Sequence, residues 1–184
     1  MKIRLFTLPN MLTLGNLVAG VLALIVTLTE HDYMMALWLI IIAAVFDFFD
    51  GFAARLLKQQ SPLGVQLDSL ADDVTFGVVP AVVMYDLYAH SSSLFVLDAT
   101  MMHYLGYVTL IIAAFSVLRL AKFNIDTTQS AEFSGLPTPA NALMLLSLAA
   151  LEQQGSVVLS QEHILVISVA TALLPSASTR GSAI

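Results

Sequence analysis

The stretch Asp47–Asp72 reads DFFDGFAARLLKQQSPLGVQLDSLAD, and the rest of the chain takes its meaning from it. Four carboxylates, Asp47, Asp50, Asp68 and Asp72, stand within or against strongly apolar segments. An ionised carboxylate in such surroundings is expensive unless a counter-charge or a metal ion meets it. At about 100° per residue, Asp47, Gly51 and Ala54 fall within an arc of about 60° on one helix, with Asp50 and Arg55 on its flanks. Asp68 and Asp72, at i and i+4, share a face of the next helix. Between the two helices KQQSP makes a short polar turn. Two antiparallel neighbours then aim four acids and one guanidinium into one small volume, with small residues leaving room for a ligand: a candidate active site. Oxygen donors without His or Cys favour Mg²⁺ or Mn²⁺ over zinc. Two such ions among four carboxylates suit a clamp on the two phosphates of a pyrophosphate. Two other readings compete, an ion-pair network with Arg55 and Lys58 and the pathway of a divalent cation transporter. The first has too few cations, and the second has no need of the Gly-x2-Ala-Arg spacing.

Outward from this stretch the chain is a membrane sequence. Its 184 residues are 58 % hydrophobic and only 11 % charged, with a mean hydropathy of +0.87, far outside the range of soluble domains. Cysteine is absent, which excludes disulfides and thiolate metal sites. The expected architecture is all-α, a bundle of six transmembrane helices forming a single domain over 1–184, preceded by a short interfacial segment, Lys2 to Leu8. The spans are expected at about Met11–Leu28, Tyr33–Leu57, Val65–Leu87, Met102–Phe123, Pro139–Leu151 and His163–Leu174. Gly77 and Pro80 are expected to bend the third. Asn10, Thr13 and Asn16 lie at helical spacing in the first span. Two roles suit them: hydrogen bonds between helices, or, for Asn10 and Thr13, facing a ligand at the membrane side where the aspartate stretch ends.

Charge sets the orientation. With six alternating spans, Lys2, Arg4, Arg55, Lys58, Arg119, Lys122 and Arg180 all fall on one side, and these are the chain's 7 basic residues. The opposite connectors, TEHD, Asp86 to His103 and EQQGSVVLSQEH, hold none. By the positive-inside rule the aspartate-bearing side and both termini are cytoplasmic. The four histidines, His31, His90, His103 and His163, fall on the far side and are read as surface residues rather than ligands of the carboxylate site.

Asp47, Asp50, Gly51, Ala54, Arg55, Gly64, Asp68 and Asp72 also fit D-x2-D-G-x2-A-R-x8-G-x3-D-x3-D at every fixed position. In this the chain resembles the CDP-alcohol phosphatidyltransferase family. The resemblance implies that Asp47, Asp50 and Asp68 coordinate metal, that Asp72 completes a second metal site and acts as general base, and that Gly51, Ala54 and Gly64 admit the cytidine and its pyrophosphate. Arg55 would neutralise phosphate charge, and CMP would leave. The implied setting is a bacterial inner membrane, and homodimers are common among such proteins. Asp73 is extra to the pattern and suits an end-of-helix or supporting role.

The pattern does not name the acceptor alcohol. LPNMLTLGN at Leu8–Asn16, LDSLADDVTFGVVPA at Leu67–Ala81 and F-x-GLPTPAN at Phe133–Asn141 resemble the membrane-embedded phosphatidylserine synthases of that family, which implies L-serine as acceptor and CDP-diacylglycerol as donor. Serine brings one carboxylate and one ammonium. Arg119, with Lys122 and Asn124 in LRLAKFN, is placed on the metal side to receive the former, and a backbone carbonyl or an aspartate the latter. Two cations equally suit a phosphate, so glycerol 3-phosphate is the alternative acceptor. Pro137 and Pro139 fix the entry of the fifth helix. The C-terminus is shorter than expected for a synthase of this kind.

Overall fold

The computed structural model describes residues 5–94, 98–125 and 137–173, with the side chains of 99 and 123–125 excepted. These residues are helical without strands. Helix α1 spans Leu8–Glu30, α2 Tyr33–Leu56, α3 Pro62–Asp72, α4 Val79–His90, α5 Ala99–Leu105, α6 Ile111–Ile125, α7 Thr138–Gln153 and α8 Gln161–Leu173. A π-helical segment, Asp73–Val78, joins α3 to α4 without a break, and a 3₁₀ segment, Gly106–Leu110, joins α5 to α6. The described residues therefore form six continuous helical rods. Three stretches are long and apolar enough to cross a membrane: Leu8–Glu30, Tyr33–Leu56 and Thr100–Lys122.

Local chemistry sets the ends of these helices. Thr7 caps α1, accepting from the Asn10 amide, and Pro9 stands in the first turn, where its missing N–H leaves no bond unmade. Ser61 caps α3 by accepting from the Gly64 amide at 3.0 Å, and Pro62 opens the helix. The Asp32 side chain caps α2, and His31 closes α1 in the left-handed conformation at φ 52, so the turn between these helices is two residues long.

The α3–α4 rod is central: α1, α6, α7 and α8 pack around it, and Phe76, Val79, Val83, Met84, Leu87 and Tyr88 are fully or almost fully buried. The outer helices turn small residues inward, Ala19, Gly20 and Ala23 on α1 and Ala36 and Ala43 on α2, while Leu22, Ile25, Trp38, Phe48 and Phe52 are exposed. Small inside and large outside is the packing of helices in lipid, where close backbone approach replaces the hydrophobic drive. Gly20 illustrates the tolerance, since a Cβ there would lie 2.5 Å from Thr75 Oγ1 and 3.1 Å from its Cα.

The expected bend at Gly77 and Pro80 takes a different form. Pro80 lacks the N–H that an α-turn requires, and the helix absorbs this upstream by widening to π over Asp73–Val78 while continuing unbroken into α4. Such widened turns gather at functional sites, and this one begins beside Asp72.

Candidate active site

The C-terminal half of α2 carries Asp47 and Asp50, and α3, returning antiparallel after the turn at residues 57–61, carries Asp68 and Asp72. One carboxylate oxygen from each of Asp47, Asp50 and Asp68 lies within 4.8 Å of the others. Asp72 joins from one turn along, within hydrogen-bonding reach of Asp47, and two carboxylates that close repel unless a cation lies between them.

Helix α1 supplies the groups that orient them. The Thr13 hydroxyl donates to Asp50 Oδ2 at 2.5 Å, and Asn16 Nδ2 donates to Asp72 Oδ1 at 3.0 Å. Asn10 Nδ2 donates to the Leu5 carbonyl at 2.8 Å, which holds the residue against α3, where a Cβ on Gly64 would meet Asn10 Oδ1 at 3.4 Å. The polar spacing of Asn10, Thr13 and Asn16 thus has both of its expected uses. Asn16 bridges helices, whereas Asn10 and Thr13 do so and also line the adjoining cleft.

That cleft, of ≈ 160 Å³, opens between α1, α2 and α3 and is lined by Asn10, Thr13, Asp50, Gly51, Ala54, Arg55, Gly64 and Asp68, with Gln59 and Gln60 from the turn. At Gly51 a Cβ would point into open space, so the glycine keeps the cleft wall clear. Arg55 is exposed at its rim. Among the described residues no Lys or Arg forms an ion pair with any of the four aspartates, which removes the ion-pair network as an explanation for them. Asp68 Oδ1 is buried without a hydrogen-bond partner. An all-oxygen donor set with an orphaned, buried lone pair fits a hard divalent ion such as Mg²⁺ or Mn²⁺.

A second, narrower cavity of ≈ 10 Å³ lies between α6, α7 and α8, lined by Ser116, Arg119, Thr138, Asn141 and Thr171. Ser116 Oγ and Asn141 Oδ1 are buried and unpartnered, as is Asp73 Oδ1. A Cβ on Gly77 would lie 2.8 Å from Ser116 Oγ and 2.9 Å from Asp73 Oδ1, so the two polar atoms converge over the glycine. Adjacent aspartates therefore serve two places: Asp72 joins the carboxylate cluster, and Asp73 turns to the side that leads through Ser116 to Arg119. Lys122, one turn beyond Arg119, is exposed and lines neither cavity. Asn124 lies in the last turn of α6, its side chain outside the described residues. Lys2, Arg4, Phe133 to Leu136 and Arg180 also lie outside them.

Sequence reasoning placed Asn16 only as a bridge and did not assign Ser116, Thr138 or Asn141 to a site. Asn141 ends the segment F-x-GLPTPAN and so carried a signal. Ser116 carried none.

The family model for CDP-alcohol phosphatidyltransferase matches residues 6–174. A CDP-diacylglycerol--serine O-phosphatidyltransferase of Bacillus subtilis is 38% identical over 77% of this chain and 75% of its own length. Proteins of the same name from Helicobacter pylori and Mycobacterium bovis are 30% and 38% identical over 82% and 83% of this chain. The matches cover 60% and 52% of those two relatives.

Proposed function

Because the chain belongs to the CDP-alcohol phosphatidyltransferase family, we propose that it moves the phosphatidyl group of CDP-diacylglycerol onto the hydroxyl of L-serine, giving phosphatidylserine and CMP. The observation that carries this reading is the convergence of Asp47, Asp50 and Asp68, without a basic partner among the described residues, beside a cleft walled by Gly51, Ala54, Arg55 and Gly64. The acceptor comes from the printed names of the relatives.

In this reading Asp47, Asp50, Asp68 and Asp72 would hold Mg²⁺ or Mn²⁺, whose chemistry when bound is charge neutralisation at the pyrophosphate and at the departing CMP. Arg55 receives phosphate oxygens at the rim of the cleft. Gly51 and Gly64 admit the nucleotide close to the backbone, and Asn10 and Thr13 face it from α1. Asp72, oriented by Asn16, takes the proton of the serine hydroxyl. The freed oxygen bonds to the β-phosphorus, the bond from that phosphorus to the CMP oxygen breaks, and its electron pair leaves with CMP. The proton stays on Asp72 until it passes to solvent, and no covalent enzyme intermediate is needed.

The narrow cavity suits the acceptor. Arg119 pairs with the serine carboxylate, and Asp73 receives the ammonium. Ser116 and Asn141 bring polar atoms that have no protein partner among the described residues. At ≈ 10 Å³ the cavity holds about one water-sized group, so admitting serine requires α6 and α7 to part. With Lys122 exposed and outside the cavity, one cation rather than two meets the acceptor, which favours a carboxylate over a phosphate. Arg119→Ala is expected to raise the KM for serine about 10- to 100-fold, the effect of losing a charged hydrogen-bond partner, with the KM for CDP-diacylglycerol within about twofold. Equal effects on both substrates would count against this role.

All six helical rods cross the membrane in this reading, as one domain in a bacterial inner membrane. The described cations Arg55, Lys58, Arg119 and Lys122, the cleft and both termini face the cytoplasm. The testing experiment supplies the purified protein with CDP-diacylglycerol, Mg²⁺ or Mn²⁺, and in turn serine, glycerol 3-phosphate, inositol and inositol phosphate, while CMP release is measured. Serine is expected to exceed every other acceptor by about 100-fold, the discrimination that a site with dedicated polar partners achieves. Preference for glycerol 3-phosphate would replace serine. Ion flux in proteoliposomes without CMP would replace the transferase reading with a transporter.

A further inference from the structure

We propose that His31, Asp86 and His90 form a second cation site, for a transition-metal ion of the zinc class, which fastens the α1–α2 turn to the last turn of α4. The site lies at the far end of the bundle, about 27 Å along α1 from Thr13, and takes a different ion from the carboxylate cleft.

The ligands come from two rods. His31 closes α1 in its left-handed conformation, while Asp86 and His90, at i and i+4 on α4, share one face. One ring nitrogen from each histidine and one Asp86 oxygen lie within 4.8 Å of one another. His31 Nδ1 is 2.8 Å from Asp86 Oδ2 and His90 Nδ1 3.7 Å from Asp86 Oδ1. Donors about 2 Å from a tetrahedral ion stand roughly 3.3 Å apart, so small rotamer adjustments complete the set.

The surroundings fix these positions in advance. The Tyr33 hydroxyl donates to Asp86 Oδ2 at 2.9 Å. From α7, Gln153 brackets the turn: its Oε1 accepts from the Tyr33 amide at 2.9 Å and the Met34 amide at 3.3 Å, and its Nε2 donates to the His31 carbonyl at 2.8 Å. The Asp86 side chain is only 8% exposed, whereas those of His31 and His90 are 47% and 55% exposed. A buried carboxylate thus faces two water-accessible imidazoles and, among the described residues, forms no ion pair with Lys or Arg. Glu30, Asp32 and Glu152 stand at the same end and add to its negative field. Two imidazoles and a carboxylate are ligands for zinc rather than Mg²⁺, and three protein ligands leave a fourth position to water. Entry of the ion displaces the proton shared by His31 and Asp86.

The test uses full-length protein in detergent, stripped with chelator and returned to millimolar Mg²⁺ so that the carboxylate cleft is filled. Zn²⁺ is then titrated calorimetrically, with Co²⁺ as a visible-absorption probe. One Zn²⁺ per chain is expected, with imidazole-type Co²⁺ bands and a Tm raised by about 5 °C at a hundredfold excess over Kd. In the double variant His31→Gln, His90→Gln the affinity should fall at least about 30-fold with Mg²⁺-supported CMP release unchanged, and Asp68→Asn should leave Zn²⁺ binding intact. Absence of Zn²⁺ binding, or binding that survives the histidine substitutions and disappears with Asp68→Asn, overturns the proposal. A readout without mutation is carbethoxylation of the unaltered protein: Zn²⁺ should slow modification of His31 and His90 but not of His103, and equal rates at all three also overturn it.

Discussion

Asp72→Asn is expected to lower CMP release by about 10³-fold or more while raising the Tm of the metal-free protein by about 2–4 °C. The amide keeps an oxygen for the Asn16 Nδ2 hydrogen bond and nearly the same volume, so α1 and α3 stay in register. It loses the ability to take a proton from the acceptor hydroxyl, and a 10³-fold loss corresponds to about 4 kcal/mol of transition-state stabilisation. The opposite effect on stability follows from like charges: four acids with no basic ion-pair partner among the described residues repel, and removing one relieves the other three. Paired turnover and thermal-melt measurements in chelator check both halves. Near-normal turnover removes Asp72 as the base, and a lowered Tm refutes the unpaired cluster.

The second large effect is at Asp68. Its buried Oδ1 finds no partner among the described residues, so this oxygen is the one most plainly reserved for an ion. Asp68→Asn is expected to cut activity at least about 100-fold and to raise the Mg²⁺ or Mn²⁺ concentration for half-maximal rate at least about tenfold, the scale of losing a metal ligand or its direct support. Because Asp72 remains, the residual activity should recover in part as metal is increased. Unchanged metal dependence would show that Asp68 holds no ion.

These two residues differ in how openly the sequence displayed their partners. The acids themselves were legible, because an ionised carboxylate in an apolar helix has a cost that only a few arrangements offset, and the spacing of Asp47, Asp50, Asp68 and Asp72 left two helix faces to hold them. Helix ends were also legible where a residue has a fixed use, as with Thr7, Asp32 and Ser61. The support given to Asp50 and Asp72 by Thr13 and Asn16 depends on the rotation of α1 against α2 and α3, which spacing within one helix does not determine. The meeting of Asp73, Ser116, Arg119 and Asn141 depends on three rods and on a π turn that local propensity does not disclose. His31, Asp86 and His90 were read as surface residues of separate connectors because the turn that closes α1 and the end of α4 are 55 residues apart in sequence.

The widened turn over Asp73–Val78 ties the length of the chain to the aim of both ends of its rod. Excising one residue from it would let the backbone resume ordinary winding and swing everything downstream by about 100° around the helix axis. Asp86 and His90 would then rotate away from His31 even though no atom near them had been altered, and Phe76 and Met84 would leave their seats in the core. A single-residue deletion there is consequently a defect of both leaflets at once, whereas a deletion at Gln59 or Gln60, in an exposed turn, stays on one side of the membrane.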